Sequence, residues 1–301
     1  MTVQQLKYLT VIAEKGSITA AAAALYLSQP SLSEVIRSAE REMGLLLFTR
    51  SRTGVVPTKD GLEFLGYARQ VLEQMELLES RYTAAPPKQR FCVSTQHYTF
   101  AANAFVELVQ QFGQDRYEFM LNETQTHQVI EDVHNRLSDL GILYLSGENE
   151  AVLQKTIDAY SLRFFPLFSA VPHAFLRSDH PLAKHSALTL ADLAPYPRLR
   201  FVQGLYQSAT FSEEPFSGEP SARSIHVSDR AAIVNLMIGL NGYTISSGIF
   251  PSYLQGSAII SIPLQTEERM RIGYLLNQDR ELSPLGQTYV QALLRYTPPS
   301  R

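Results

Sequence analysis

The sequence predicts an α/β protein in three parts: a small helical head with a hairpin, a long connecting helix, and a larger body of alternating strands and helices. Three observations carry this reading. Within residues 1–60, apolar residues recur at helical spacing in short segments punctuated by Gly16 and Gly44. A second stripe then steps by 4, 3, 4, 3, 4 through Phe64, Ala68, Val71, Met75, Leu78 and Tyr82. From about residue 88, short apolar runs alternate with helical patterns, which is the grammar of βαβ units and a parallel sheet.

In the head, Leu6, Leu9, Val11, Ile12 and Ala13 form the stripe of a first helix that Gly16 ends. Ser17 is a natural N-cap for a second helix, Ile18 to Leu25, whose run Ala20 to Ala24 combines high helix propensity with room for close packing. A short turn at Tyr26–Ser28 leads to a third helix from Gln29. Pro30 stands in its first turn, where a missing N–H costs nothing. Leu32, Val35, Ile36, Ala39 and Met43 give it an apolar face, and Gly44 closes it. Two apolar runs in 45–57 flank a polar turn with Gly54, a small hairpin tipped by Arg50 and Arg52. Thr58 caps the long helix, which is expected to reach about Ala85, where Pro86 and Pro87 stop it. Its 4-3 stripe needs a cover: the same helix of a second copy, or this chain's own body.

In the body, strands are expected at 90–94, 117–122, 140–145, 162–168, 174–177, 199–202, 225–227 and 243–246. Helices are expected at 100–112, 128–137 and 231–239. Residues 203–224, rich in Ser, Glu, Pro and Gly, read as a surface excursion.

Composition narrows the class. Charged residues make up 18% of the chain and hydrophobic ones 45%, which excludes a largely disordered protein. Net charge is −3, yet residues 1–60 hold seven Lys and Arg against five Asp and Glu, a basic head on an acidic body. The single cysteine, Cys92, rules out an intrachain disulfide and a cysteine-rich metal site. No metal or other cofactor is expected. No run of about 18 apolar residues suggests a membrane span. The stretch Met1–Tyr8 lacks a basic segment followed by an apolar one, so a cytoplasmic protein is expected.

Two helices joined by a short turn can place the second in the major groove of DNA, with its N-terminal residues at base edges. Here those residues are Ser28, Gln29, Ser31, Ser33 and Glu34. Gln pairs bidentately with adenine, and Ser reaches bases or phosphate. Arg37 lies one turn beyond Ser33, at backbone reach, and Arg50 and Arg52 stand where a wing meets phosphates or the minor groove.

The run Ser17–Ser33, followed by Ile36, Glu40, Gly44, Leu47-Phe48, Arg50, Thr58 and Gly61, resembles the signature of LysR-type transcriptional regulators over about 60 residues. Asp139-Leu140-Gly141-Ile142, His180-Pro181-Leu182-Ala183, Leu190–Leu193 and Gly239–Ile245 are similar to that family's effector-binding region. The resemblance implies a winged helix-turn-helix DNA-binding domain at 1–58 and a linker and dimerisation helix at 59–87. It also implies a two-lobed effector-binding domain, similar to periplasmic solute-binding proteins, at 88–301, with lobe I about 88–161 and 267–301 and lobe II about 162–266. It further implies double-stranded DNA, a small-molecule effector and self-association as dimer or tetramer. Glu34 departs from the family, which often has Arg or Gln there: a carboxylate repels phosphate but accepts from cytosine N4. Ala39 and Met43 stand where leucines are usual.

In open α/β sheets ligands sit beyond the carboxyl ends of strands. That rule points to Ser94, Thr95 and Gln96, to Glu123–Thr126, and to Tyr144. The resemblance selects Thr95 and Thr124 as effector contacts. Val202 and Gln203 would line the hinge wall, with Ser246 after a later strand. Thr126 reads as a helix cap. Hydroxyls, amides and helix N-termini favour a small anion, such as a carboxylate.

Two other classes fit less well. An enzyme lacks support: no HExxH, Gly-x-Ser-x-Gly or phosphate loop is present, and His180 and His185 are poorly spaced for one metal. A transported-solute receptor would leave the 60-residue head unexplained.

Overall fold

The computed structural model describes residues 1–298 except 52–53, 83–88, 113–115, 205–207 and 250–257. It divides into two compact units. Unit 1 is Met1–Gln89 with the short pieces Arg116–Glu118 and Asn135–Leu137, and unit 2 is the remainder.

In unit 1 the caps set the helix boundaries. Thr2 and Gln5 form a capping box at the start of α1 (Val3–Lys15). Ser17 accepts from the Ala20 N–H to begin α2 (Ile18–Leu25). Ser28 accepts from the Ser31 N–H to begin α3 (Gln29–Met43), and Gly44 ends α3 at φ 68°. Leu9, Ile12, Ala21, Leu32 and Ile36 pack into one core between the three helices. Strands β1 (Phe48–Ser51) and β2 (Gly54–Pro57) pair antiparallel as the expected hairpin. Glu40 in α3 accepts from the N–H groups of Leu47 and Phe48 at 2.9 and 3.1 Å, which fixes the entry to the hairpin. Gly54 must be glycine: at φ 142°, a Cβ there would lie 2.1 Å from the Gly16 carbonyl oxygen.

Helix α4 (Lys59–Tyr82) starts where Thr58 accepts from the Gly61 N–H at 2.9 Å. Its stripe divides. Leu65 is buried in the core of the head with Phe64 packed beside it, and Ala68 is buried, whereas Val71 and Leu78 are 43% and 53% exposed. The head of the same chain therefore covers the start of the stripe, and Val71 and Leu78 farther along are exposed.

Unit 2 opens with β3 (Gln89–Thr95), α5 (Thr99–Phe112), β4 (Tyr117–Glu123), α6 (Thr126–His134), β5 (Leu140–Leu145), α7 (Glu150–Ala159) and β6 (Leu162–Ala170). The chain then crosses to β7 (His173–Arg177), α8 (Leu190–Leu193), β8 (Arg198–Phe201), β9 (Ser224–Val227), α9 (Arg230–Leu240), β10 (Thr244–Ser246) and β11 (Ile259–Pro263). It returns as β12 (Met270–Asn277) and ends in α10 (Pro284–Leu294). The first sheet has the order β4-β3-β5-β12-β6 and the second β10-β7-β11, with β8-β9 as a separate pair.

The sheets are mixed, which corrects the expectation of parallel units throughout. β3 and β5 run parallel, as do β8 and β9. β12 is antiparallel to both β5 and β6, because the returning chain enters the middle of the first sheet from the opposite end. Helices α5 and α10 cover one face through Phe100, Ala104, Leu108, Tyr289 and Leu293, and α6 and α7 cover the other through Val129, Val133, Leu153 and Ile157. Within the expected surface excursion at 203–224, Phe211 to Pro215 are all buried, which corrects that part of the expectation.

Candidate nucleic-acid interface and ligand cleft

The face that α3 offers at its N-terminal half is polar and open. Gln29, Ser31, Glu34 and Arg37 are exposed, and Ser33 is half-buried. Leu32 and Ile36 hold this helix on the core from the opposite side. Ser28 is spent on capping: its hydroxyl lies 2.7 Å from that of Ser31 and accepts from the Ser31 N–H at 3.3 Å. Glu34 faces solvent between two arginines, 2.8 Å from Arg37 and 3.5 Å from Arg41. The hydrogen bond and charge of Arg37, with a smaller part from Arg41, hold the Glu34 carboxyl below its ordinary range. Arg50 pairs with Val55 across the hairpin. Its side chain lies outside the described residues, as does Arg52 altogether.

In unit 2 the loops after β3 and β4 meet the strand end at Gln203. Gln96 is fully buried; its amide donates to the Thr126 hydroxyl at 2.6 Å, and its carbonyl oxygen accepts from the Tyr98 hydroxyl at 2.9 Å and the Tyr144 N–H at 3.3 Å. Gln203 accepts from the Thr126 N–H at 3.1 Å and the Thr126 hydroxyl accepts from Gln96, so the first N–H of α6 is capped by Gln203, which corrects the expected cap by the Thr126 hydroxyl. The other end of Gln203 donates to Glu213 at 2.9 Å. The second oxygen of Glu213 accepts from the His97 N–H at 2.8 Å and lies 2.8 Å from His97 Nδ1. The His97 ring stacks flat on Phe201, with centroids 3.9 Å apart. Glu214 turns the other way, accepting from the Phe201 N–H and the Ser212 hydroxyl, each at 2.8 Å. Burial, reinforced by the charge of Glu213, pushes Glu214 up to about 7.

Beside these carboxylates lies a cleft of about 630 Å³ that is open to solvent. Phe175, Ile233, Met237, Ile245 and Ile259 give it apolar walls, and Glu213, Glu214, Thr244 and Ser246 line its polar part. Arg230 also lines it, ion-paired with Glu123, and burial lowers its guanidinium to about 10.

Of the residues expected to hold an effector, Ser246 lines this cleft, and Gln96, Tyr144 and Gln203 belong to the polar network behind it. Tyr144 adds a bond from its hydroxyl to the Ser212 carbonyl at 3.3 Å. Thr95 donates to the Gln96 carbonyl at 2.8 Å, Thr124 donates its N–H to Thr95 at 2.9 Å, and Val202 is tied to Val227 through the backbone. Ser94 is a correction: its hydroxyl bonds Asp132 at 2.5 Å and Ser138 at 2.8 Å, because strand alternation turns it to the opposite face from Thr95. Of the donors near the cleft, His97 and Gln203 are already taken by Glu213. Sequence reading missed His97, Glu213, Glu214, Arg230 and Thr244. One available signal was the pattern Phe211-Ser-Glu-Glu-Pro-Phe216, two carboxylates between aromatic anchors.

Residues 3–62 match the profile of the bacterial regulatory helix-turn-helix protein of the lysR family, and residues 86–298 match the LysR substrate binding domain. The chain belongs to the LysR family. It is a DNA-binding transcription regulator with an effector-binding region, and that family comprises regulators, not enzymes. Among its relatives is the uncharacterized HTH-type regulator YvbU of Bacillus subtilis, 32% identical over 212 residues, covering 69% of this chain and 68% of that protein. Another is the dual regulator OxyR of Escherichia coli, 27% identical over 301 residues, covering 97% and 93%. Solved structures similar in fold include a full-length OxyR variant of Pseudomonas aeruginosa, with TM-score 0.63, 19% identity and coverage of 98% and 94%. Full-length CbnR complexed with its target DNA has TM-score 0.54, 17% identity and coverage of 99% and 100%. No helix among the described residues of this LysR-family chain is long and apolar enough to cross a membrane.

Proposed function

We propose that this LysR-family regulator acts in the cytoplasm and reads promoter DNA with the N-terminal half of α3. Gln29, Ser31 and Ser33 meet base edges, Arg37 meets backbone, and Arg50 and Arg52 in the hairpin meet phosphate. Glu34 tempers the charge of this face, and Ser28 orients the helix as its cap. The domains are 1–58 for DNA, 59–87 for self-association, and 88–301 for the effector, in two lobes divided near residues 161 and 267. A second copy covers the open half of α4, setting two recognition helices about one DNA turn apart, roughly 34 Å or a multiple of it. The effector enters the cleft beside Glu213 and Glu214. It alters DNA binding by favouring one arrangement of the assembly, which requires different affinities for the two.

The observation that carries this reading is the open polar N-terminal half of a capped α3, whose opposite side is held by Leu32 and Ile36. The similarity in fold to a regulator solved on its target DNA supports it. Fluorescence anisotropy with DNA from upstream of its own gene tests it. Affinity should fall linearly on a log–log plot against salt. Gln29→Ala should relax base preference at one position by about 1–3 kcal/mol. Salt-independent or absent binding at modest protein concentration rejects the proposal.

A peroxide response deserves a separate test, because relatives 27% identical are named as hydrogen peroxide-inducible genes activators. Cys92 is the one cysteine, so no intrachain disulfide can form. Burial raises its thiol, and its sulfur lies 3.3 Å from the Ser138 hydroxyl. A raised pKa leaves little of the reactive thiolate. Peroxide is expected to leave promoter affinity unchanged, and Cys92→Ser to behave as the parent.

A further inference from the structure

We infer that the effector of this cleft is an organic cation, a primary amine on an apolar body, received by Glu213 and Glu214. The inference rests on the reading of the cleft as the effector site and adds its chemical class.

Two of the donors that could hold an anion are already filled. The carboxylate of Glu213 takes the His97 N–H at 2.8 Å and the Gln203 amide at 2.9 Å. A carboxylate bound at the His97 and Gln203 donors would have to expel Glu213 and then sit against Glu214, at a cost from like charge. The two glutamates are consecutive and 5% and 2% exposed, and among the described residues no Lys or Arg lies within ion-pair distance of either. Nearby cations are partly engaged elsewhere. Arg198 donates to the carbonyls of Phe216 and Pro215 at 2.9 and 2.7 Å, and Arg230 is ion-paired with Glu123, although its Nε has no hydrogen-bond partner among the described residues. The rise of Glu214 to about 7 is the response expected of buried negative charge short of a counter-ion.

A separate feature points to a ligand. Thr244, 8% exposed on strand β10, lines the cleft, and its hydroxyl has no hydrogen-bond partner among the described residues. Buried hydroxyls without partners are uncommon and call for a missing group. An ammonium has three donors and no acceptor, so it suits a wall of carboxylates and a free hydroxyl. The rest of the wall, with Phe175, Ile233 and Met237, calls for a hydrocarbon body.

The test uses the full chain with three probes of one length: hexylamine, hexan-1-ol and hexanoate, at matched pH and ionic strength. Thermal unfolding by circular dichroism should show hexylamine raising Tm by about 2–4 °C once several-fold above its dissociation constant. Hexanol should give a smaller rise and hexanoate none. In E213Q and in E214Q the amine's advantage over the alcohol should vanish. Should either fail to fold, the other and T244V carry the comparison, T244V reducing the amine shift. Hexylamine no better than hexanol, or hexanoate better than both, overturns the proposal. Promoter binding by the same preparation separates the two readings. A chain that binds DNA with no amine preference overturns only the ligand class, whereas a chain that binds no DNA overturns the regulator reading.

Discussion

On α3, the carboxylate of Glu34 sits between Arg37 and Arg41 and cancels part of the positive charge that the helix presents. All three side chains are more than half exposed, so the pairs add little to stability and act mainly on what the helix can bind. Glu34→Gln should therefore tighten binding to DNA of any sequence. Freeing Arg37 for one more phosphate should steepen the log–log salt slope by about 0.9. Anisotropy titrations at three salt concentrations check this, and an unchanged slope would show that Arg37 stays away from phosphate. Ser28 is a cap at the same helix end, so Ser28→Ala should cost about 1 kcal/mol of stability, read by urea denaturation. The sequence showed these residues readily, because caps and helix N-termini are local: Ser28 needs only Ser31. It did not show that Glu34 would be shared by two arginines one and two turns away.

Helix α4 changes character along its length. At its start, Gly61 touches the hairpin so closely that a Cβ would lie 2.0 Å from the Leu47 carbonyl oxygen. Gly61→Ala should push the helix from the hairpin and cost about 1–3 kcal/mol, seen as a lower urea midpoint. Farther along, Val71, Leu77 and Leu78 stand open. Leu78→Glu should leave the fold intact but weaken self-association, measured by sedimentation equilibrium. A variant that sediments as the parent would assign the seam elsewhere. The stripe was legible from its 4-3 spacing, since periodicity is a local property. The elements α7, β11, β12 and α10 were not assigned, and β12 shows why direction is hard to read. Its partner β5 lies more than a hundred residues earlier, and no local signal fixes antiparallel pairing across that distance.

At the scale of the molecule, the buried glutamates couple unit 2 to pH. The groups facing Glu214 are Glu213, the Ser212 hydroxyl, the Phe201 N–H and, at longer range, Arg198. Burial first, then Glu213, raises it from an ordinary 4.5 to about 7, so the folded chain holds a proton that the unfolded chain releases. The stability this contributes is complete below about 4.5 and is lost as pH rises through about 7, a swing of up to about 3 kcal/mol. Urea denaturation at pH 5 and pH 8 should show that swing in the parent and a flatter response in Glu214→Gln; equal pH dependence in both would remove Glu214 as its source. The composition of 203–224 concealed this, because Ser, Glu and Pro read as surface wherever their partners are remote. One of the donors that bury Glu213, His97, lies 116 residues away. The return of the chain as β12 into the middle of the first sheet also bears on biosynthesis. A ribosome completes the DNA-binding head after about a quarter of the chain, but β5 and β6 have no strand between them until residues 270–277 emerge. A nascent or prematurely terminated chain would thus carry a finished DNA-binding head on a sensor with two unpaired strand edges, a form competent to occupy promoters, prone to aggregate, and unable to answer its signal.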